Sequence, residues 1–134
     1  MDDDDYYYPE SINRRVEELV NNDNVNCVGI TTTGTFDINN FVSSMNVAPF
    51  HQKYGRRLTP SSLCFYRSFW EDRKFSEVDS YETADFLDNR ITEFREISWE
   101  GIMVGLVHSK NMLLSYLLHH RKKLHPSQHK DRHQ

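Results

Sequence analysis

The chain of 134 residues is 37% hydrophobic and 27% charged, with a formal net charge of -4; this excludes a disordered segment and fits one globular domain that buries about two thirds of its unfolded surface. Two cysteines, Cys27 and Cys64, are too few for a disulfide scaffold and suit a reducing compartment. The opening MDDDD has neither the basic nor the apolar region of a secretory leader, so a cytoplasmic protein is expected.

Residues 1–8 read as an acidic, flexible N-terminus, 9–120 as the domain and 121–134 as a basic, histidine-rich tail. Pro9 opens the first helix, on which Ile12, Val16, Leu19 and Val20 follow the spacing of a core-facing stripe. VNCVGITTTGTF has β-branched residues without clear alternation and reads as a loop or weak extended segment. Asp37 is placed to cap a helix carrying Ile38, Phe41, Val42 and Met45. Thr59 and Pro60 start another, which holds Leu63, Phe65, Tyr66, Phe69 and Trp70. A further helix runs from Asp79 or Ser80 to Glu96, with Ala84, Leu87, Ile91 and Phe94 on one face.

Ser98 is placed to cap the last helix, and Glu100 in its first turn meets the positive end of the macrodipole. From Trp99 to Leu118 the segment is apolar around most of its circumference, and such a helix must be enclosed by others. His108, Ser109, Lys110 and Asn111 in its middle would be costly in hydrocarbon, so no membrane anchor is expected. Gly101 and Gly105, four apart, would admit a neighbouring backbone. The expected fold class is all-α, a central hydrophobic helix wrapped by amphipathic ones.

ITEFREISWEGIMVGLV, residues 91–107, resembles the first homology motif of the Bcl-2 (B-cell lymphoma two) family of apoptosis regulators. Phe94, Arg95, Glu96, Trp99 and Ile102 match in type if one residue is deleted between Glu96 and Trp99, and FYRSF, residues 65–69, is similar to the aromatic segment of that family's second helix. The resemblance implies a Bcl-2-like helical bundle, abbreviated at its C-terminus, that inhibits apoptosis by holding proapoptotic death-motif helices in a hydrophobic groove. The groove residues it implies are Phe65, Phe69, Arg90, Ile91, Phe94, Arg95, Ser98, Trp99, Gly101 and Met103. Ser98-Trp99-Glu100-Gly101 stands where the family has Asn-Trp-Gly-Arg, which leaves Arg90 or Arg95 to replace the motif arginine and implies a narrower ligand range. Without clear second and third homology motifs or a tail anchor, the pattern is more like a divergent viral prosurvival homologue, such as an iridovirus one, than a cellular member. Implied partners are host proapoptotic proteins, both death-motif-only ligands of the Bim type and effectors of the Bax and Bak type, with homodimerisation besides. They would be met in the host cytoplasm, with recruitment to mitochondria through them.

Other readings stand beside this one. Phe65, Phe69, Ile91 and Phe94 at helical spacing equally suit an ordinary core. His119, His120, His125, His129 and His133 include pairs four apart, but Pro126 interrupts them and no cysteine or carboxylate cluster joins, so no metal site is expected. The basic tail supports an alternative, a small helical protein that binds nucleic acid or self-associates, although nucleic acid is not the preferred partner. No glycine-rich phosphate loop, G-x-S-x-G elbow or H-E-x-x-H motif is present, so neither enzyme activity nor a cofactor is expected.

Overall fold

The computed structural model describes residues 4–76 and 82–108. These residues build a mixed α/β fold, which overturns the all-α, Bcl-2-like helical bundle. One sheet has the order β1 (Tyr6–Tyr7), β7 (Met103–Val107), β3 (Thr32–Asp37), β4 (Val42–Val47); the other has the order β5 (Cys64–Phe65), β2 (Cys27–Gly29), β6 (Phe94–Glu96). The β2–β6 and β3–β7 pairs are parallel and the others antiparallel. Two stretches of chain, β2 into β3 and β6 toward β7, thus run side by side through both sheets. The described helices are short: α1 (Ser11–Val20), α2 (Tyr54–Arg57), α3 (Arg67–Asp72) and α4 (Glu82–Phe86).

β2 is covered on both faces. Val28 packs in one cluster with Leu19, Ile30, Ile97, Ile102 and Met103, whereas Cys27 joins a second with Leu58, Phe69, Phe86 and Leu87. A strand enclosed in this way is apolar at successive positions. That is why β2 shows no alternation within VNCVGITTTGTF, which is expected as a loop or weak extended segment but supplies β2 and most of β3. Burial pushes the Cys27 thiol up to about 12, with Cys64 adding to the effect and Arg90 opposing it, so this free cysteine is an unreactive core residue.

α1 forms where its periodicity places it but docks through another side. Ser11, Arg15 and Leu19 are buried, while Ile12, Val16 and Val20 face solvent. The cause is a set of acceptors, two on Ser11 within the helix and one distant, on Ser62. Arg15 donates to the Ser62 carbonyl at 3.3 Å, to the Ser11 carbonyl at 3.1 Å and to Ser11 Oγ at 3.1 Å. A guanidinium with this many acceptors can be enclosed at a cost an unpaired one could not meet.

The other expected helices are interrupted. Residues 37–45 belong to the β3–β4 hairpin. The segment opened by Thr59 and Pro60 is a 3-10 turn over Pro60–Ser62, then β5, then α3; the Thr59 hydroxyl, rather than capping a helix, pairs with Thr33 Oγ1 at 2.7 Å. The helix expected to reach Glu96 stops at Phe86, because Asn89 adopts a φ of 58° and the chain then passes through a 3-10 turn at Ile91–Glu93 into β6. Its expected start at Asp79 or Ser80 lies outside the described residues.

The central hydrophobic helix is contradicted over residues 98–107. The Ile102 N–H donates to the Trp99 carbonyl at 3.2 Å in a turn, and Gly101 has a φ of 70°, a left-handed conformation that a side chain would strain. β7 follows, with burial alternating along Met103–Val107. Gly101 and Gly105 therefore sit in a turn and a strand and share no helix face. The rest of that expected helix, and the histidine-rich tail, lie outside the described residues.

Candidate interaction surface

The β3–β4 hairpin is organised by Asp37. Its Oδ1 accepts the N–H groups of Asn39 at 2.9 Å and Asn40 at 3.1 Å, and its Oδ2 accepts from Asn40 Nδ2 at 2.8 Å. The capping chemistry expected of Asp37 is thus used to close a turn. The Asn40 side chain first, and then the two backbone donors, hold the Asp37 carboxyl below its ordinary 3.8. A lowered folded-state pKa means that this contribution is complete above the ordinary value and is lost as pH falls through the lowered one. Asp37→Ala is expected to reduce hydrogen-exchange protection across residues 38–47 at neutral pH. The gap from the parent protein should close in acid below the ordinary value of 3.8; equal protection of the two proteins at neutral pH would contradict this role.

Strand register sorts the first sheet into two unlike faces. Met103, Gly105, Val107, Thr33 and Thr35 are buried on one, where Ser61 Oγ contacts Met103 Sδ at 3.6 Å and Thr59 meets Thr33. On the other, Tyr6, Val104, Gly34 and Met45 form one row, and Leu106, Phe36 and Ser43 the next. Trp99 lies over Gly34, where an added Cβ would stand 3.8 Å from the indole, and the Phe36 and Phe41 rings meet edge to face at 6.3 Å. This second face is open: Tyr6 is 49%, Met45 47% and Val47 50% exposed.

The open face ends at an open edge. Among the described residues β4 pairs only with β3, and all six of its residues are exposed. From Ile38 to Phe50 no Asp, Glu, Lys or Arg occurs, although 27% charge across the chain would place about three or four in thirteen residues. Proteins normally blunt such an edge with charge, proline or a bulge. β4 has no charge and no proline, and its pairing from Val42 to Val47 is unbroken. The sequence reading missed this surface; the uncharged run after an Asp-x-Asn-Asn turn was the available signal.

The residues implied by the Bcl-2 resemblance are dispersed. Phe65, Phe69 and Phe94 pack in the second cluster, where Phe65 and Phe69 stand 5.2 and 5.4 Å from Phe86 and Phe94 stands 5.6 Å from Tyr54. Arg90 caps that cluster by donating to the Phe69 carbonyl at 2.7 Å. Met103 is buried in the first cluster, across β2. Ile91 and Ser98 are exposed, Trp99 covers Gly34, Gly101 contacts Arg14, and Arg95 pairs with Glu18 at 3.3 Å.

Other polar groupings serve the fold. Glu96 accepts hydrogen bonds from Tyr54 and Thr31, tying α2 to the end of β6. Burial first, and then the Glu96 hydrogen bond and charge, push the Tyr54 hydroxyl well above its ordinary range, so it remains a donor. An open cleft beside α1, lined by Arg14, Glu17, Glu18, Ile97, Ser98 and Ile102, encloses about 230 Å³, below the roughly 300–1,000 Å³ of small-molecule sites. No cluster of three or more potential metal ligands occurs among the described residues, and no described helix is long and apolar enough to cross a membrane.

Comparison with family models, with curated proteins and with solved structures finds no match to this chain. The Bcl-2 resemblance rests on the quoted residues alone, and residues 91–107, which would wall its groove as helices, contain a 3-10 turn, β6 and β7.

Proposed function

We propose that the chain is a non-catalytic protein-binding module that captures an extended segment by strand addition at β4. The observation that carries this reading is the uncharged, six-residue open edge of β4, continuous with an apolar sheet face. Strand addition draws affinity from main-chain hydrogen bonds and specificity from alternate side chains, and β4 offers both. Helix-in-groove capture of a death-motif ligand needs facing helices at residues 91–107, which the described fold lacks.

Magnitudes set what the side chains must add. Alternate residues of an edge strand turn both backbone groups outward, so three of the six offer on the order of six hydrogen bonds at about 0.5–1.5 kcal/mol net each. Micromolar affinity needs about 8 kcal/mol after the peptide has been ordered. The backbone falls short alone, and burial of half-exposed Met45 and Val47 supplies the remainder.

Selection from a random peptide library on the purified chain tests this. Recovered peptides should alternate apolar and polar residues without an internal proline, and Met45→Lys should weaken their binding about tenfold or more, roughly 1.4 kcal/mol. Apolar residues recurring at i, i+3, i+4 and i+7 in the selected peptides, or indifference to Met45→Lys, would overturn the reading in favour of a helix-binding surface.

A further inference from the structure

Resting on that reading, we infer that the partner is a second copy of this chain, joined antiparallel, β4 to β4, about a two-fold axis perpendicular to the sheet at Met45. Such an axis keeps each sheet face on its own side, so residues opposite one another must share a face. With Met45 opposite Met45 of the second copy, Ser43 falls opposite Val47 on the open apolar face and Ser44 opposite Asn46 on the other. The two Met45 thioethers then meet at the axis, each flanked diagonally by the other copy's Val47, and the Ser44 hydroxyl meets the Asn46 carboxamide across the polar face. The strand is its own complement.

Charge supports the same occupant. A two-fold places each residue near the axis beside its equivalent, so any ionised side chain there would face its own sign. β4 has none, and neither does its flank from Ile38 to Phe50. The opposite edge of the sheet is closed to a head-to-tail arrangement. β1 is only two residues long, and Asp5 Oδ1 accepts the Leu106 N–H at 3.2 Å, occupying a backbone donor of β7. Very short strands of this kind protect an edge. One long open edge that complements itself gives a closed pair, whereas two open edges would give a fibre.

Sedimentation and thiol cross-linking of the full chain test the pairing and its register. The protein is expected to sediment as a dimer in the micromolar range, and Met45→Lys to raise the dimer dissociation constant about tenfold or more with an unchanged circular dichroism spectrum. Met45→Cys, at a half-exposed position, should give a dimer-sized product with a short bis-maleimide. The parent protein, which retains Cys27 and Cys64, and Ile12→Cys on the exposed side of α1 should not. A monomer throughout the concentration range, equal cross-linking of Met45→Cys and Ile12→Cys, or a ladder of higher oligomers would each overturn the inference. A monomer that still selects alternating peptides in a Met45-dependent way leaves strand addition standing and removes only the second copy as its partner.

Discussion

Phe86→Ala is expected to lower the free energy of unfolding by about 3–5 kcal/mol, the cost of emptying a large aromatic site in a packed core. Phe86 has no exposed surface. Its ring stacks on Phe75 at 4.2 Å and stands 5.2 Å from Phe65 and 5.4 Å from Phe69, with the Arg90 guanidinium 4.9 Å away. These neighbours come from β5, α3 and the segments that follow α3 and α4, so they cannot all close on the vacancy together. At about 3–5 °C per kcal/mol for a domain of this size, the melting temperature should fall by about 10–25 °C. Ile12→Ala, at a 56% exposed site on α1, should change stability by only about 0.5 kcal/mol or less. Urea denaturation of the two variants checks the contrast. A cost under about 1 kcal/mol for Phe86→Ala would mean that the aromatic cluster is not the packed unit described.

That contrast bears on what the sequence made legible. Aromatic and aliphatic residues at helical spacing were equally compatible with a core and with a ligand groove, and local spacing cannot separate them. α1 was legible as a helix because its period is clear, yet its buried side was misread: the acceptor that draws Arg15 inward is Ser62, 47 positions away. β2 gave no alternation because both of its sides are covered, and the same absence of period made Ile102–Val107 pass for part of a helix. Length would have favoured the strand, since the unbroken apolar run from Ile102 to Val107 is short and bounded by Gly101 and His108. Asp37 was read with the right chemistry and the wrong element, because a carboxylate accepting amides two and three residues on serves a turn as well as a helix start. Of the candidate surface, local spacing puts Met45 and Phe41 on a helical stripe; only pairing with β3 aligns Met45 with Tyr6 and Val104 across the sheet.

The topology also explains why the proposed binding edge lies at β4. β3 and β7 lie between β1 and β4 in the sheet, and their buried face is covered by residues 59–61 and the first hydrophobic cluster. β4 is attached to them by a turn and one ladder of hydrogen bonds, and Thr35 Oγ1 reinforces it by pairing with Ser44 Oγ at 2.7 Å. It makes no contribution to either buried cluster. Substitutions on its outer side can therefore alter association while leaving the cores intact, which allows Met45→Lys to report on binding.

Arg90→Met is expected to cost about 2–4 kcal/mol of stability and to leave association at β4 unchanged. The guanidinium donates from Nη1 to the Phe69 carbonyl at 2.7 Å and from Nε to the Phe86 carbonyl at 3.1 Å, and it lies 3.8 Å from the centre of the Phe69 ring. A hydrogen bond from a charged donor contributes about 1.5–3 kcal/mol and a cation over a ring about 0.5–2. The two share one partly exposed residue, so they sum to less than their separate values. Methionine keeps most of the volume and the apolar stem, and the measured loss then reports the missing donors more than a cavity. Arg90→Lys should recover only part of it, because an ammonium cannot present the planar fork that bridges the two carbonyls. The Bcl-2 resemblance implies that this arginine, or Arg95, replaces the motif arginine of a ligand-binding groove, and that role predicts the reverse pattern. Thermal denaturation unchanged in Arg90→Met, together with weakened peptide binding, would return the residue to a binding site; a fall in melting temperature with binding intact places it where its two carbonyl partners already hold it.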